Sequence, residues 1–306
     1  MTPLVDLGAA GSGAALVDAL RGHGHAALRG HGIGSALIDE MRAVSLEFFA
    51  LPRAEKAAVE YDGVGPWRGW QPVHEGSAIY GGDTRPTELL ERLEENLCPS
   101  QGGIDAPTNR WPTAPRSLRG VWATYHDAAF ALTTRLMGLL AAALEVDDPS
   151  LDRWCTEQWS NLVVNHFPPL AGEPAPGRVR VLPHTDHGGL TLLCADDLPG
   201  GLEVGYPDDR WEQVDAPADA VLVQAGDLLE RWSGGRVRAT PHRVVNPPVA
   251  AGAAGRRTSI VYFHHPRIDH VVAPVTGDRA AYAPVAAGSW FEVRQDSYRR
   301  GEASLL

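Results

Sequence analysis

Residues 183–194, PHTDHGGLTLLC, decide the fold expected for this chain, because they contain its only His-x-Asp, His184-Thr185-Asp186. Side chains at positions i and i+2 of a strand point to the same face, so this imidazole and this carboxylate can meet one ion. In a chain with 12 His and 38 acidic residues, the tripeptide alone is a weak signal. Taken alone, it fits a solvated strand end better than a metal site.

A second cluster downstream strengthens the metal interpretation: residues 242–244, HRV, followed by residues 257–259, RTS. Two histidines and one carboxylate that leave coordination positions open form the facial triad of non-haem Fe(II) oxygenases. An arginine one strand further on is suited to a carboxylate, because its planar fork makes two parallel charge-assisted bonds. The pattern therefore predicts a metal bound by both histidines and Asp186, close to a carboxylate-binding Arg257.

In the order HxD…H…RxS, the chain resembles the iron(II)/2-oxoglutarate-dependent dioxygenases of the isopenicillin N synthase-like family. The matching positions are His184, Asp186, His242, Arg257 and Ser259. The resemblance extends over nearly the whole chain. Residues 31–52, HGIGSALIDEMRAVSLEFFALP, match the family's N-terminal pattern of a His-Gly turn and a helix that ends in Phe-Phe-x-Leu-Pro.

The resemblance implies a mainly β fold with flanking helices: a double-stranded β-helix (jelly-roll) core with a long scaffold helix on its outside. The chain itself favours both parts. Apolar residues recur at three- and four-residue steps from Leu118 to Leu140, and short strands with turn residues follow from Thr156. We expect one catalytic domain, 1–306, made of an N-terminal α/β region (1–100), the scaffold helix (116–146), the jelly-roll core (156–270) and a C-terminal segment near the pocket (271–306).

The resemblance also implies the cofactors Fe(II), 2-oxoglutarate and O2. The metal would bind the keto and adjacent carboxylate groups of 2-oxoglutarate, and O2 would take the last position. Arg257 and Ser259 would bind the far carboxylate, with Asn165 beside them. The reaction would release succinate and remove a hydrogen atom from a small-molecule substrate, which leads to hydroxylation, desaturation or oxidative cyclisation. The Ala/Gly/Arg-rich composition is typical of a high-GC bacterium, and we therefore expect a substrate of specialised (natural product) metabolism, such as antibiotic biosynthesis.

One departure from the family concerns the strand before HxD. Relatives commonly carry Asn-x-Tyr-Pro there, and the tyrosine hydroxyl helps to hold the cosubstrate, but this chain has Asn165-His166-Phe167-Pro168. A lost hydrogen bond to a charged group costs about 1.5–3 kcal/mol, unless Asn165, His166 or water replaces it. A 2-oxoglutarate-independent oxidase of the isopenicillin N synthase type therefore stays open as an alternative. A separate alternative is a non-catalytic jelly-roll binding protein that retains the pattern.

Aromatic residues near the expected pocket are candidates for substrate contact: Tyr80, Phe263, Trp290 and Phe291. Buried aromatic area also pins loops and terminal helices, so the same residues equally fit structural anchors. His264 and His265 compete with His242 for the ligand role, but only His242 stands in the family's His-Arg-Val context. His187 is expected to support the ligands rather than to be one.

Composition limits the partners. A net charge of −11 and a pI near 5.5 argue against a nucleic-acid partner and would favour a cationic substrate over an anionic one. Three scattered cysteines do not make a disulfide framework, and we find neither a signal peptide nor a membrane span, so we expect no membrane association and a cytoplasmic location. The oligomeric state is not predicted.

Three polar features are interpreted as peripheral. Residues 89–96, with a charge at nearly every other position, are expected to be solvated. His126 lies off the apolar stripe of the long helix and is also expected to face solvent. Asp227, in a Gly-Asp turn, is expected to cap backbone amides.

Overall fold

The structure, a computed structural model, describes residues 1–63, 67–72, 90–149, 151–174, 179–196, 201–217 and 219–300. The strands are β1 (Leu4–Asp6), β2 (His25–Arg29), β3 (Gly69–Gln71), β4 (Glu91–Glu95), β5 (Asn161–Phe167), β6 (Val181–His184), β7 (Leu190–Ala195), β8 (Leu202–Gly205), β9 (Trp211–Gln213), β10 (Val221–Ala225), β11 (His242–Val244), β12 (Arg257–His264), β13 (Val271–Val272) and β14 (Val285–Ala286). The helices are α1 (Ser12–His23), α2 (Ser35–Phe49), α3 (Arg53–Ala57), α4 (Leu118–Ala143), α5 (Leu151–Thr156), α6 (Asp227–Trp232) and α7 (Ala287–Arg300), with short 3₁₀ turns at Pro99–Gln101, Gly103–Asp105 and Val249–Gly255.

Two sheets form the core. An eight-stranded sheet has the order β1-β2-β10-β7-β12-β5-β4-β3, and a four-stranded sheet has the order β6-β11-β8-β9. Strand pairing is antiparallel throughout both sheets except between β1 and β2. Both sheets contribute side chains to one cavity between them, which confirms the expected jelly roll. The N-terminal strands β1 to β4 extend both edges of the larger sheet.

Alternation along the strands of the larger sheet separates the hydrophobic core from the cavity. On β12, Ile260 and Tyr262 are fully buried in the main core, whereas Val261 and Phe263 point to the opposite face and line the cavity. The strand period of two residues produces this division, since neighbouring side chains lie on opposite faces. The cavity-facing positions are therefore fixed by strand register.

Helix α4 is the long scaffold helix that the sequence predicts. Its apolar side chains belong to the main core, and the helix packs against α1, α2 and the back of the larger sheet. The expectation for His126 was wrong. This residue is 1% exposed, because Cys98 and Tyr262 cover its face of the helix, and burial lowers the pKa of its imidazole.

The expectation of a solvated segment around β4 was also wrong. Glu91, Glu94 and Glu95 are all buried. The carboxylate of Glu91 accepts hydrogen bonds from Lys56 Nζ at 2.8 Å and Trp70 Nε1 at 2.7 Å. Buried charges are tolerated when they are paired and hydrogen-bonded, so partners distant in sequence place this acidic strand inside the protein.

Among the described residues, none of the helices has the length and apolarity needed to cross a lipid bilayer.

We expect Glu91→Gln to lower the free energy of unfolding at pH 7 by about 3–5 kcal/mol, because it leaves the buried Lys56 ammonium without its anion. Burial would raise the pKa of Glu91, but hydrogen bonds from His166, Lys56 and Trp70 hold it below its usual value. The stability from Glu91 is therefore present above its unfolded pKa, about 4.3, and is lost as the pH falls through the lower folded pKa. Urea unfolding of both proteins should show the stability gap narrowing below about pH 4.

The control for this measurement is Asp18→Asn, which removes an exposed ion pair with Arg21 and should change the free energy of unfolding little, both at neutral and at acidic pH. A gap between wild type and Glu91→Gln that stays constant down to about pH 3 would contradict a role for the ionised carboxylate.

Candidate metal centre

Strand pairing brings the two histidines of the predicted triad together. His184 ends β6, and β11 pairs with β6 so that His242 lies directly opposite His184. The two ring centroids are 4.2 Å apart. Asp186 follows in the loop after β6 and is buried. The pairing register of β6 and β11 therefore brings together two histidines that are far apart in the sequence.

The ligand-type atoms of these residues converge on one point. Asp186 Oδ1 lies 3.8 Å from His184 Nε2 and 3.6 Å from His242 Nε2, and all three atoms lie within 4.8 Å of one another. Within the described parts of the chain, this is the one group of three or more His, Cys, Asp or Glu residues with such geometry. His264 and His265, the competing histidines, are not members of it.

Each histidine of the triad is oriented by a backbone carbonyl. His184 Nδ1 lies 2.8 Å from Leu182 O, and His242 Nδ1 lies 3.2 Å from Thr240 O. A carbonyl oxygen accepts only from a protonated nitrogen, so Nδ1 donates and Nε2 presents its lone pair to the centre. Such oriented imidazoles are typical of metal ligands.

The carboxylate is oriented in the same way. Thr191 Oγ1 donates to Asp186 Oδ2 at 2.6 Å, which leaves Oδ1 directed at the two imidazoles. Burial would raise the pKa of Asp186, but the neighbouring His242 and His184 lower it overall. Burial lowers the pKa of His242. A neutral imidazole beside an ionised carboxylate is the protonation state that a divalent metal requires, so the donor set fits Fe(II).

Glycine allows close packing behind this loop. A Cβ on Gly188 would lie 2.1 Å from His265 Nδ1, closer than any side chain can approach. His265, the residue that follows β12, is buried and faces the cavity, whereas His264 faces the other side of the sheet and stacks on Trp154, with ring centroids 6.2 Å apart. Burial lowers the pKa of both imidazoles to about 3, so both are neutral.

The residues expected to bind a carboxylate lie together on the cavity face. Arg257 and Ser259 project from β12, and both are buried. In the register with β5, Ser259 lies opposite Asn165 and Arg257 lies opposite Phe167. The side-chain oxygen of Asn165 is buried without a hydrogen-bond partner among the described residues. Because an amide oxygen only accepts hydrogen bonds, this atom needs a donor from water or from a bound molecule.

A second arginine, which the sequence interpretation missed, lies at the Phe167 position. The guanidinium of Arg180 stands 5.3 Å from the ring centroid of Phe167 and donates a hydrogen bond to Gly255 O. Burial, together with the nearby Arg257, lowers the pKa of Arg180 to about 10, so it stays charged at neutral pH. The sequence signal for Arg180 was its position immediately before β6, the strand that leads into the His-x-Asp. Positive charge therefore lies over the ring of Phe167, at the position where the resemblance leads us to expect a tyrosine.

The four candidates for substrate contact are placed differently. Phe263 and Phe291 line the cavity. Trp290 is not among the cavity-lining residues and lies instead against the guanidinium of Arg231, at 4.7 Å. Tyr80 lies outside the described residues.

The cavity, about 200 Å³ in volume, has a second wall that the sequence interpretation also missed. This wall comes from the N-terminal region, from β5 and from the segment before β5. It consists of Trp67, Arg68, Arg92, Glu94, Trp159 and Asn161. The sequence signal for this wall was the charge at every second position of β4, because alternate residues of a strand share one face and can line one cavity.

Comparisons with known proteins agree with this geometry. Residues 158–266 match the family model of the 2OG-Fe(II) oxygenase superfamily, and residues 3–114 match that of the non-haem dioxygenase in morphine synthesis N-terminal region. The chain is 32% identical over 278 residues to the 2-oxoglutarate-dependent dioxygenase frbA of Dothideomycetidae sp. (strain 11243), with 84% of this chain and 80% of that protein covered. It is 31% identical to validamycin A dioxygenase of Streptomyces hygroscopicus subsp. limoneus, with 86% and 72% covered.

Solved structures give the same result. A full-length Neurospora crassa protein, crystallised in complex with alpha-KG, superposes with a TM-score of 0.82 at 26% identity, and the match covers 97% of this chain and 96% of that one. The rice dioxygenase for auxin oxidation superposes with a TM-score of 0.77 at 27% identity, with 99% and 98% covered. The chain is thus an enzyme of the 2OG-Fe(II) oxygenase superfamily, whose members require Fe(II), 2-oxoglutarate and O2.

Proposed function

We propose that this oxygenase removes a hydrogen atom from a small-molecule substrate, with His184, Asp186 and His242 as its iron ligands. The outcome would be hydroxylation, desaturation or oxidative cyclisation. The observation that carries the proposal is the convergence of two imidazole Nε2 atoms and one carboxylate oxygen, each oriented by a hydrogen bond on its far side. We also propose that residues 1–306 act as one catalytic unit.

A role in specialised metabolism is part of the same proposal. It is supported by the relatives already described, since one of them is named for its action on validamycin A. The alternative of an oxidase that does not use 2-oxoglutarate is disfavoured, because relatives are named 2-oxoglutarate-dependent dioxygenases and a solved neighbour contains alpha-KG. The binding-protein alternative is disfavoured by the intact ligand set.

Bound Fe(II), 2-oxoglutarate and O2 supply the oxidising chemistry: the cosubstrate becomes succinate and CO2 while a C–H bond of the substrate is oxidised. The chain's own residues position the reactants. Arg257 and Ser259 would bind the far carboxylate of 2-oxoglutarate, and Asn165 would donate from its amide. Arg180 raises the positive potential at that end, which offsets the hydroxyl that Phe167 lacks. The aromatic walls exclude water from the reacting atoms.

The C-terminal helix α7 has a positioning role at the same centre. Arg294, which is buried, donates from Nη2 to Thr185 Oγ1 at 2.6 Å, and its Nε lies 3.0 Å from Asp227 Oδ2. Thr185 is the residue between two proposed ligands. The carboxylate of Asp227 pairs with Arg294, so the expectation that it caps backbone amides was wrong. The backbone N–H of Asp227 donates to Asp186 O at 2.8 Å, which is a second link to the ligand loop. We infer that this ion pair fixes the ligand loop.

Removal of a ligand tests the metal assignment. We expect His184→Ala to weaken Fe(II) binding by at least about 100-fold, because two ligands hold a metal much less tightly than three. Anaerobic titration with Fe(II), followed by a chelator-competition readout, measures this directly. His31→Ala alters a half-buried histidine that contacts Asp219 O, is not part of the triad, and should bind Fe(II) like wild type. Wild-type affinity in His184→Ala would end the assignment.

Substitution of Arg257 tests the cosubstrate site. Arg257→Gln removes a charged hydrogen bond worth about 1.5–3 kcal/mol, so the Kd of 2-oxoglutarate should rise by about 10- to 150-fold. Arg257→Lys keeps the positive charge but loses the planar guanidinium fork, so its Kd for 2-oxoglutarate should lie between those of wild type and Arg257→Gln. Calorimetry on the Fe(II) enzyme under argon gives the Kd, and succinate formation in air gives the turnover. Unchanged binding in both variants would place 2-oxoglutarate elsewhere.

The positioning role of Arg294 has its own test. We expect Arg294→Gln to weaken Fe(II) binding by about 10-fold or more, as loss of a group that orients ligands commonly does. Arg231→Gln is the matched control. Arg231 contacts Trp290, which lies on α7 like Arg294, and it donates to Ala283 O, away from the ligand loop. If both variants lose Fe(II) affinity and thermal stability to the same extent, Arg294 only anchors the helix.

A further inference from the structure

His265 is a buried imidazole that lines the cavity and does not belong to the metal-binding triad. It is the residue that follows β12, and it is 8% exposed. Its ring makes no hydrogen bond within the described part of the chain, and its Nδ1 is buried without a partner there. Because buried polar groups in folded proteins are nearly always hydrogen-bonded, this ring calls for water or a bound molecule as its partner.

The position of His265 along the strand places it far from the proposed cosubstrate site. The cavity-lining residues of β12 and its continuation are, in order, Arg257, Ser259, Val261, Phe263 and His265. A strand advances about 3.3 Å per residue, so along the strand His265 lies roughly 26 Å beyond Arg257. With 2-oxoglutarate bound at Arg257, the His265 end of the strand is left for the primary substrate.

The His265 ring also packs against the ligand loop. Gly188 lies two residues after Asp186, and a Cβ at Gly188 would be 2.1 Å from His265 Nδ1. The backbone fixes the same contact, because Gly189 N donates to His264 O at 2.9 Å. A group bound by His265 would therefore lie beside the loop that carries Asp186, in the cavity that contains the triad.

The two nitrogens of the His265 ring have different surroundings. Nδ1 is buried against Gly188, whereas Nε2 forms no hydrogen bond to a described residue and, unlike Nδ1, keeps accessible surface. Burial lowers the pKa of His265 to about 3, so the ring is neutral and carries one N–H. A buried N–H without an acceptor is rarer than an acceptor without a donor, which favours the proton on Nε2. Nε2 therefore presents a donor to the cavity.

Polar side chains of the second wall are bonded to one another instead. Arg68 Nη2 donates to Asn161 Oδ1 at 3.0 Å, and Asn161 Nδ2 donates to Glu94 Oε1 at 3.0 Å. Arg68 Nη1 also lies 3.4 Å from Glu94 Oε1. These hydrogen bonds run within the wall, whereas the donor of His265 is available to a bound molecule.

Aromatic rings enclose His265. The Phe263 ring is parallel to the imidazole, with centroids 6.0 Å apart, and the Phe291 ring meets it at 4.6 Å and an angle of 63°. Trp159 lies 6.4 Å away. All three rings line the cavity. Such a lining favours a flat apolar group, and a single polar contact among the rings fixes the orientation of that group.

We propose that His265 determines substrate specificity: its Nε2–H donates to a carbonyl or hydroxyl oxygen on a planar, largely apolar group of the substrate, which packs against Phe263 and Phe291. The inference rests on the proposed function, because it assumes that 2-oxoglutarate occupies the Arg257 end of the cavity. His265, which the sequence offered only as a rival metal ligand, thereby belongs to the substrate site.

The tautomer can be tested without a substrate. The enzyme is labelled with ¹⁵N-histidine and loaded with 2-oxoglutarate and with diamagnetic Zn(II) in place of Fe(II). Two-dimensional ¹H–¹⁵N NMR then distinguishes Nδ1–H from Nε2–H rings, and the spectrum of His265→Phe identifies the His265 signals. We expect a neutral ring with its proton on Nε2. A proton on Nδ1, or a doubly protonated ring at neutral pH, would contradict the donor assignment.

Matched ketones and alkenes test the hydrogen bond itself. Acetophenone is compared with α-methylstyrene, and 2-acetylnaphthalene with 2-isopropenylnaphthalene, in which a methylene group replaces the carbonyl oxygen. Each is titrated into the same loaded enzyme and followed by ligand-observed NMR. A ketone loses hydrogen bonds to water on binding, so it gains over its alkene only where the cavity supplies a donor.

We expect the ketone to bind about three- to tenfold more tightly than its alkene in one pair or both. Equal affinities, or no binding by either ketone, would overturn the proposal. Binding of 2-oxoglutarate is measured first on the same enzyme, so failure of the proposed function is seen separately.

Substitutions at His265 locate the donor. His265→Gln places its amide nitrogen at the same number of bonds from Cβ as Nε2 and should keep the ketone preference. His265→Asn places its amide nitrogen at the Nδ1 distance, and His265→Phe has no donor, so both should lose the preference. His264→Phe is the control and should keep it, because His264 is also buried but does not line the cavity.

Thermal unfolding of each variant identifies a loss of folding. If His265→Phe does not fold, the difference between His265→Gln and His265→Asn decides the outcome. A ketone preference that persists unchanged in His265→Asn and His265→Phe would assign the donor to another residue and overturn the role of His265.

Discussion

The pairing of β6 with β11 is the constraint on which the rest of this enzyme depends. It places His242 opposite His184 and thereby joins two parts of the chain that are remote in sequence. The register of this strand pair shifts between His242 and Val244, so the alignment with β6 is local to the two histidines. A slip of one residue would turn one imidazole away from the cavity, because neighbouring side chains of a strand face opposite ways. The smaller sheet is short, yet it carries this register.

The larger sheet supplies the remainder of the cavity by the same rule. Alternate residues of β4, β5 and β12 face inwards, and the residues between them pack on the helices. One strand therefore serves both stability and binding: on β5, Leu162 and Val164 lie in the core while Asn161 and Asn165 line the cavity. The hydrogen-bonded wall of Arg68, Glu94 and Asn161 is built on this framework and does not rely on a loop alone for its position.

The convergence of His184, Asp186 and His242 and the fold class were predictable because their signals are local and chemically specific. Few structural roles require a His-x-Asp, a distant His and an Arg-x-Ser in one chain, so the combination indicates a binding site. The 26-residue helix α4 is recognised from the helical spacing of its apolar residues. The acidic strand β4 was not predictable in this way. Its charges are typical of a solvated segment, and only the folded chain brings Lys56, Trp70 and Arg68 to pair with them. Sequence patterns report the polarity of a residue, but burial of a charge depends on partners that only the fold brings near.

The orientation of both imidazoles by main-chain carbonyls has an evolutionary consequence. The acceptors for Nδ1 are the backbone oxygens of Leu182 and Thr240, and every amino acid provides such an oxygen. Mutation at either position can change the side chain and leave the tautomer of the metal-facing histidine as it was. Side-chain divergence at these two positions can therefore reshape the neighbourhood of the histidines while the hydrogen bonds that orient them persist.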